Sequence, residues 1–111
     1  MRRLKVVLLE SAIGDLDEIY RYVARASGSP TTAIRFIRRI RTSCKRLGNL
    51  PFIGHARDDL EAGPRTVSFE RTAVIAFKAE ETQVKIVNVF YGGRDYEAFY
   101  RGSKDEGDME D

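Results

Sequence analysis

The residues best suited to chemistry gather in the stretch YGGRDYEAFYR, residues 91–101. Arg94 follows two glycines, and Tyr91, Tyr96, Phe99 and Tyr100 lie around it in sequence. Positive charge interleaved with aromatic rings can stack bases and grip phosphate. The same residues also suit an Arg94–Asp95 pair that locks the chain end while Phe99 returns to a core. A second set is Arg35, Arg38, Arg39, Arg41, Lys45 and Arg46, with no acid among them. It reads as a phosphate-binding face, a dock for an acidic protein, or a solvated helix face. Because these cations fan across more than one side of a helix, they fit groove reading poorly. The lone histidine, His55, stands beside Arg57, Asp58 and Asp59, where an exposed loop explains it. The lone cysteine, Cys44, lies on an apolar stripe and reads as a buried thiol rather than a nucleophile. One cysteine and one histidine exclude a disulfide framework and a nitrogen–sulfur metal site within one chain. No cofactor is expected.

The 111 residues suffice for one domain. Formal net charge is +2, but residues 102–111 hold five acids and one lysine. Residues 1–101 therefore carry 18 basic and 12 acidic residues, a body of +6 beside an acidic tail. Residues 1–101 read as the domain, and 102–111 as a disordered tail that solubilises the chain or shields its basic body. The start MRRLKVVLLE has too short an apolar run for a secretory signal, and no segment approaches a membrane span. The cytoplasm is the expected location.

Periodicity supplies the elements that must position these groups. Leu4 to Leu9 is a short apolar strand. Ala12, Leu16, Ile19 and Val23 then mark one face of a helix, with Ser11 as the expected N-cap. Ser29 and Pro30 open a second helix, whose stripe is Ala33, Ile37, Ile40, Cys44 and Leu47, and Gly48 is expected to close it at the C′ position. The short link makes the helices an antiparallel hairpin. Residues 49–64 read as a loop, followed by strands at Thr66–Phe69, Ala73–Ala79 and Val84–Tyr91. Alternation puts Val84, Ile86, Asn88 and Phe90 on one face of the last strand, which is partly apolar on both sides and hence central. A short helix or turn is expected at 94–100. The expected class is α+β: β-α-α-β-β-β plus a short C-terminal helix, a helical hairpin packed on a small, mostly antiparallel sheet. Such a domain leaves an apolar groove for an acidic, apolar peptide, with Ile19, Tyr20, Val23 and Ile37 as candidates and core packing as the alternative for each.

Several motifs in order resemble a known family. The first helix has A-x-x-DL-x-x-I-x-x-Y (Ala12, Asp15, Leu16, Ile19, Tyr22), and the second ends L-x-x-L-P (Leu47, Leu50, Pro51). P-x-x-G follows (Pro51, Gly54), then arginines, an apolar hairpin, and Arg94-Asp95 after the last strand. Over about residues 3 to 100 this resembles the ParE branch of the RelE/ParE toxins of type II toxin–antitoxin modules.

The resemblance implies a small cytoplasmic toxin, with a place in plasmid stabilisation, that binds and inhibits DNA gyrase. It implies neutralisation by a cognate ParD-like antitoxin, and DNA met only through gyrase or that antitoxin. The target-facing candidates are Arg57, Arg65, Arg94, Asp95 and Tyr96. The RelE branch instead cleaves mRNA on the ribosome, and Arg94 and Tyr100 match two of its positions. Its arginine at the start of the penultimate strand falls here on Ala73-Val74-Ile75, with Arg71 out of register, which favours the ParE branch. Two residues depart from the family pattern: His55 stands where an arginine is common, and Phe77 where a tyrosine is. A third reading is an attenuated toxin that serves mainly in an autorepressor complex.

Overall fold

The two helices occupy Glu10–Ser27 (α1) and Pro30–Arg46 (α2). The computed structural model describes residues 3–49 and 64–92, and the backbone of 55–56. The Ser29 side chain accepts the Thr32 N–H at 3.1 Å and Pro30 sits in the first turn, so α2 begins where its sequence requires. Gly28, at φ +69°, ends α1 in the left-handed region and turns the chain straight into α2. Ser11 is not the N-cap expected of it. The helix starts two residues earlier, at Glu10, behind an extended Leu9 with no side-chain cap. The Ser11 hydroxyl donates instead to the Val87 carbonyl of the sheet.

Among the described residues, five strands follow the order β1-β5-β4-β3-β2. They are β1 (Lys5–Leu8), β2 (His55–Ala56), β3 (Arg65–Phe69), β4 (Ala73–Ala79) and β5 (Gln83–Tyr91). Among the described residues β1 and β5 pair in parallel, and the other three pairings are antiparallel. The expected loop over 49–64 thus contains a two-residue strand, in which His55 pairs with Thr66 and Ala56 with Arg65. Two residues are too few to show a sequence period, yet they occupy the open backbone edge of β3. The helix or turn expected at 94–100 and the acidic tail lie outside the described residues.

The helical hairpin covers one face of the sheet. Ala12, Leu16, Ile19, Phe36, Ile40, Cys44 and Leu47 meet Ala73, Ile75, Phe77, Val84, Ile86 and Val89 in one buried cluster. The opposite face carries a smaller cluster of Ala76 and Phe90, with Val74 packed against it. This corrects the strict alternation expected of β5. Ala76 pairs with Asn88 but Phe77 pairs with Ile86, so Val87 is an extra residue in a β-bulge. A one-residue slip exchanges the faces. Val84 and Ile86 lie on the helix side before the bulge, and Val89 and Tyr91 take that side after it. Phe90 goes to the other face.

The bulge occurs where β5 loses its neighbour, since β1 pairs with it only as far as Ile86. Beyond that point α1 supplies the missing partners. Ser11 takes the Val87 carbonyl, and the Asp15 carboxylate accepts the Val89 N–H and the Asn88 side-chain amide, each at 2.9 Å.

Gly48 also differs from its expected role. The cap residue of α2 is Leu47 in the right-handed region, and the described glycines with positive φ are Gly28 and Gly92. What Gly48 provides is space: a Cβ there would overlap the Leu4 carbonyl oxygen and lie 3.1 Å from Val6 Cγ2.

The β3–β4 connection is strained. Glu70 and Arg71 have φ of +49° and +60°, a region that costs an L residue about 1–2 kcal/mol. Glu70 is held there by Arg39, whose Nε and Nη2 donate to its two carboxylate oxygens at 2.8 and 3.1 Å. This pairing keeps the Glu70 carboxyl below its ordinary pKa. Arg71 has no such tie among the described residues, so Arg71→Gly is expected to stabilise the fold by about 0.5–1 kcal/mol after the entropy of a glycine in the unfolded chain is subtracted. A thermal melt should show a rise of several degrees, about 4–8 °C per kcal/mol at this size. An unchanged or lower Tm would mean that the turn is not under strain.

Candidate functional site

Among the described residues two concave surfaces flank α1. The first is a cleft of about 460 Å³ between α1 and the end of β5, lined by Asp15, Glu18, Ile19, Arg21, Tyr22, Arg25, Val89, Tyr91 and Gly92. The bulge creates it by turning Val89 and Tyr91 toward α1. The Tyr91 ring meets Tyr22 edge-on at 5.7 Å and Phe36 at 5.3 Å, and Phe36 in turn lies 5.9 Å from Phe69. Such ring pairs add about 0.5–1.5 kcal/mol each beyond area burial. Tyr22 nevertheless remains 53% exposed and available to a ligand. Arg21 is paired with Asp17 at 2.8 Å, while Arg25 has no carboxylate partner among the described residues. Asp15 is committed to the bulge and is unavailable as a general base.

The second surface is a groove of about 470 Å³ along the outer side of the helical hairpin. Ile13, Leu16, Tyr20, Ile34 and Ile37 line it, with Asp17, Arg38 and Arg41. Ile13 is 51% exposed and Ile34 40%, large apolar side chains that the fold leaves facing outward. Helical spacing explains the placement, because both isoleucines lie off the stripes that face the sheet.

The four antitoxin candidates do not share one surface. Tyr20 and Ile37 line the outer groove. Ile19 is 5% exposed and belongs to the core, reaching only the floor of the cleft, and Val23 packs against the core partly buried. Ile13 and Ile34 are groove residues that the sequence reading passed over. Their signal was an isoleucine on each helix outside its buried stripe. Of the target-facing candidates, Arg65 is half-buried on β3, opposite Phe77. Arg57, Arg94, Asp95, Tyr96 and Tyr100 lie outside the described residues, as does the His55 side chain.

The remaining nucleophile is inert. Cys44 is fully buried, and burial pushes its thiol up to about 11. Among the described residues no group of His, Cys, Asp and Glu is placed to hold a metal ion, and no helix is long and apolar enough to cross a membrane.

A hairpin of amphipathic helices on a mixed sheet, with an apolar outer groove and a cationic second helix, defines a small basic α+β domain. The sequence model of the family described as the ParE toxin of type II toxin–antitoxin systems, parDE, matches residues 6–103. The chain belongs to that family and is a type II toxin. Among solved structures, a chain of the chromosomal ParDE TA system from P. aeruginosa superposes with a TM-score of 0.70. The match covers 80% of this chain and 96% of that one at 23% identity, a likeness of fold. No curated protein matches the chain.

Proposed function

We propose that the protein acts by binding DNA gyrase and arresting it on cleaved DNA, and that a ParD-like antitoxin neutralises it. Membership of the ParE family across residues 6–103 carries this reading. The start of β4 supports it against ribosome-dependent mRNA cleavage. Where that chemistry would place an arginine stand Ala73, Val74 and Ile75, of which Ala73 and Ile75 are 3% and 0% exposed in the core and Val74 is half-buried against Ala76 and Phe90. Without that cation, charge developing on phosphate lacks one of its stabilising groups. The outer groove, with Ile13, Tyr20, Ile34 and Ile37 beside Arg38 and Arg41, suits the apolar and acidic side chains of an antitoxin segment. We assign the target-facing role to Arg94, Asp95 and Tyr96, which follow Gly92 in sequence, together with Arg57 and Arg65. The site of action is the cytoplasm, where DNA is supercoiled.

Purified protein is expected to block gyrase supercoiling and to accumulate cleaved DNA, with both effects reversed by the antitoxin. Undisturbed supercoiling at molar excess would remove the gyrase reading. Translation-coupled mRNA cuts that disappear in Arg94→Ala would replace it with the nuclease one.

A further inference from the structure

The cationic side of α2 is used by neither surface in full. Arg39 is neutralised by Glu70. Arg35, Arg38, Arg41, Lys45 and Arg46 are all exposed, and none has a carboxylate partner among the described residues. At 3.6 residues per turn, Arg35, Arg38, Thr42, Lys45 and Arg46 form one outward crest, with Arg41 on the flank beside the groove. A shallow depression lined by Arg38, Thr42, Ser43 and Arg46 runs from this crest to the Arg39–Glu70 pair and Phe69 at the β3–β4 turn.

The chemistry of the crest distinguishes among ligands. Protein interfaces centre on apolar or aromatic anchors, and the exposed large apolar residues of the hairpin lie off the crest, Tyr22 in the cleft and Ile13 and Ile34 in the groove that Arg38 borders. Arginine, lysine and hydroxyl side chains without such anchors are the usual partners of phosphate. The crest bears no aromatic ring on which an unpaired base could stack, which favours a duplex over a single strand. Its Arg and Lys groups only donate hydrogen bonds, which suits phosphate oxygens, and no acceptor on the crest is placed to read the donor side of a ribose hydroxyl. From Arg35 to Arg46 the helix rises about 16 Å. One strand of a DNA duplex presents about five phosphates over that length.

We propose that the crest of α2 (Arg35, Arg38, Lys45 and Arg46) binds the phosphodiester backbone of duplex DNA directly and without sequence preference. This departs from the expectation that DNA is met only through a partner protein. It does not depend on the gyrase reading, because the contact requires no gyrase.

The test is the anisotropy of a short labelled DNA duplex titrated with the full-length protein between about 50 and 200 mM salt. Four contacts predict a log–log salt slope of about −3.6, at about 0.9 per phosphate neutralised. The variant Arg35→Gln/Arg38→Gln/Lys45→Gln should flatten the slope by about 2.7 and weaken binding more than tenfold at the lowest salt. Arg21→Gln/Arg25→Gln, which removes charge from α1 instead, should leave the slope unchanged. Circular dichroism confirms that both variants are folded. The proposal is overturned by absence of binding at the lowest salt, or by an equal loss in the α1 control. Tighter binding of an RNA duplex would also overturn it. So would tighter binding of a labelled acidic peptide of equal charge, which would make the crest a protein dock. Because gyrase is absent, failure here and failure of gyrase inhibition are separate results.

Discussion

Asp15→Ala is expected to lower the unfolding free energy by about 3 kcal/mol, a large share of the roughly 5–15 kcal/mol typical of a small domain. One carboxylate oxygen of Asp15 accepts both the Val89 N–H and the Asn88 side-chain amide at 2.9 Å. Val89 is 1% exposed and Asn88 9%, so water cannot readily replace the lost acceptor. Each buried donor left unpaired costs about 1–3 kcal/mol, and local relaxation recovers part of it. Tm should fall by more than about 10 °C. Asp15→Asn keeps an acceptor oxygen of similar reach, and its loss should be nearer 1 kcal/mol because only the charge assistance is removed. Urea denaturation of the three proteins checks this ranking. An alanine variant within about 0.5 kcal/mol of the parent would show that the bulge holds itself together without α1. The loss should extend to binding, since the same clamp positions Tyr91 and Gly92 at the end of the cleft.

The bulge is also where sequence reasoning stops. The helices were legible because their information is local. Ala12, Leu16 and Ile19 repeat at helical spacing, and Ser29-Pro30 announces a start that the structure reproduces to the residue. The strands of the β4–β5 hairpin were legible for the same reason. The extra residue at Val87 was not, because every residue from Val84 to Tyr91 suits a strand that is apolar on both faces. Nothing local marks the point where the pleat skips. Its cause lies more than 70 residues away, in the Ser11 and Asp15 side chains that take over when β1 ends. Asp15 was visible as an acid near the start of a helix, and Ser11 as a cap. Both roles are plausible locally, and in both cases a tertiary partner won the competition for the side chain.

The candidate surfaces were legible to a similar degree. The basic run on α2 could be read from composition alone. Its division into a committed Arg39 and an unpaired crest required Glu70, which arrives from a strained turn 31 residues later. An apolar groove was expected between hairpin and sheet, and three of its four candidates, Ile19, Val23 and Ile37, were chosen from the buried stripes, with Tyr20 from outside them. Ile19 satisfies the pattern of a core position more strongly than that of a contact, and the core holds it. Ile13 and Ile34 fall outside both stripes, and that made them the better pointers to an unfilled surface.

Gly48→Ala is expected to destabilise the protein by about 2–4 kcal/mol, although the substituted side chain is the smallest available. The usual cost of replacing a glycine after a helix is a left-handed φ, and that cost is absent here because Gly48 is not in that region. The obstacle is the first strand. The Leu4 N–H donates to the Gly48 carbonyl at 2.9 Å, which draws the two backbones together as β1 begins. An added Cβ would overlap the Leu4 carbonyl oxygen and press on Val6 Cγ2 at 3.1 Å. A side chain can rotate out of such a contact, but a carbonyl oxygen in the main chain cannot. Relief requires β1 to withdraw, breaking the Leu4–Gly48 hydrogen bond and loosening Leu4 and Val6 from the core they pack against. The mechanism predicts a particular pattern of hydrogen exchange. In Gly48→Ala, protection should fall first along Lys5 to Leu8 and at the β5 amides that face them, while β3 and β4 retain theirs. A loss spread evenly over the sheet, or none in β1, would show that the close approach is not what requires a glycine at this position.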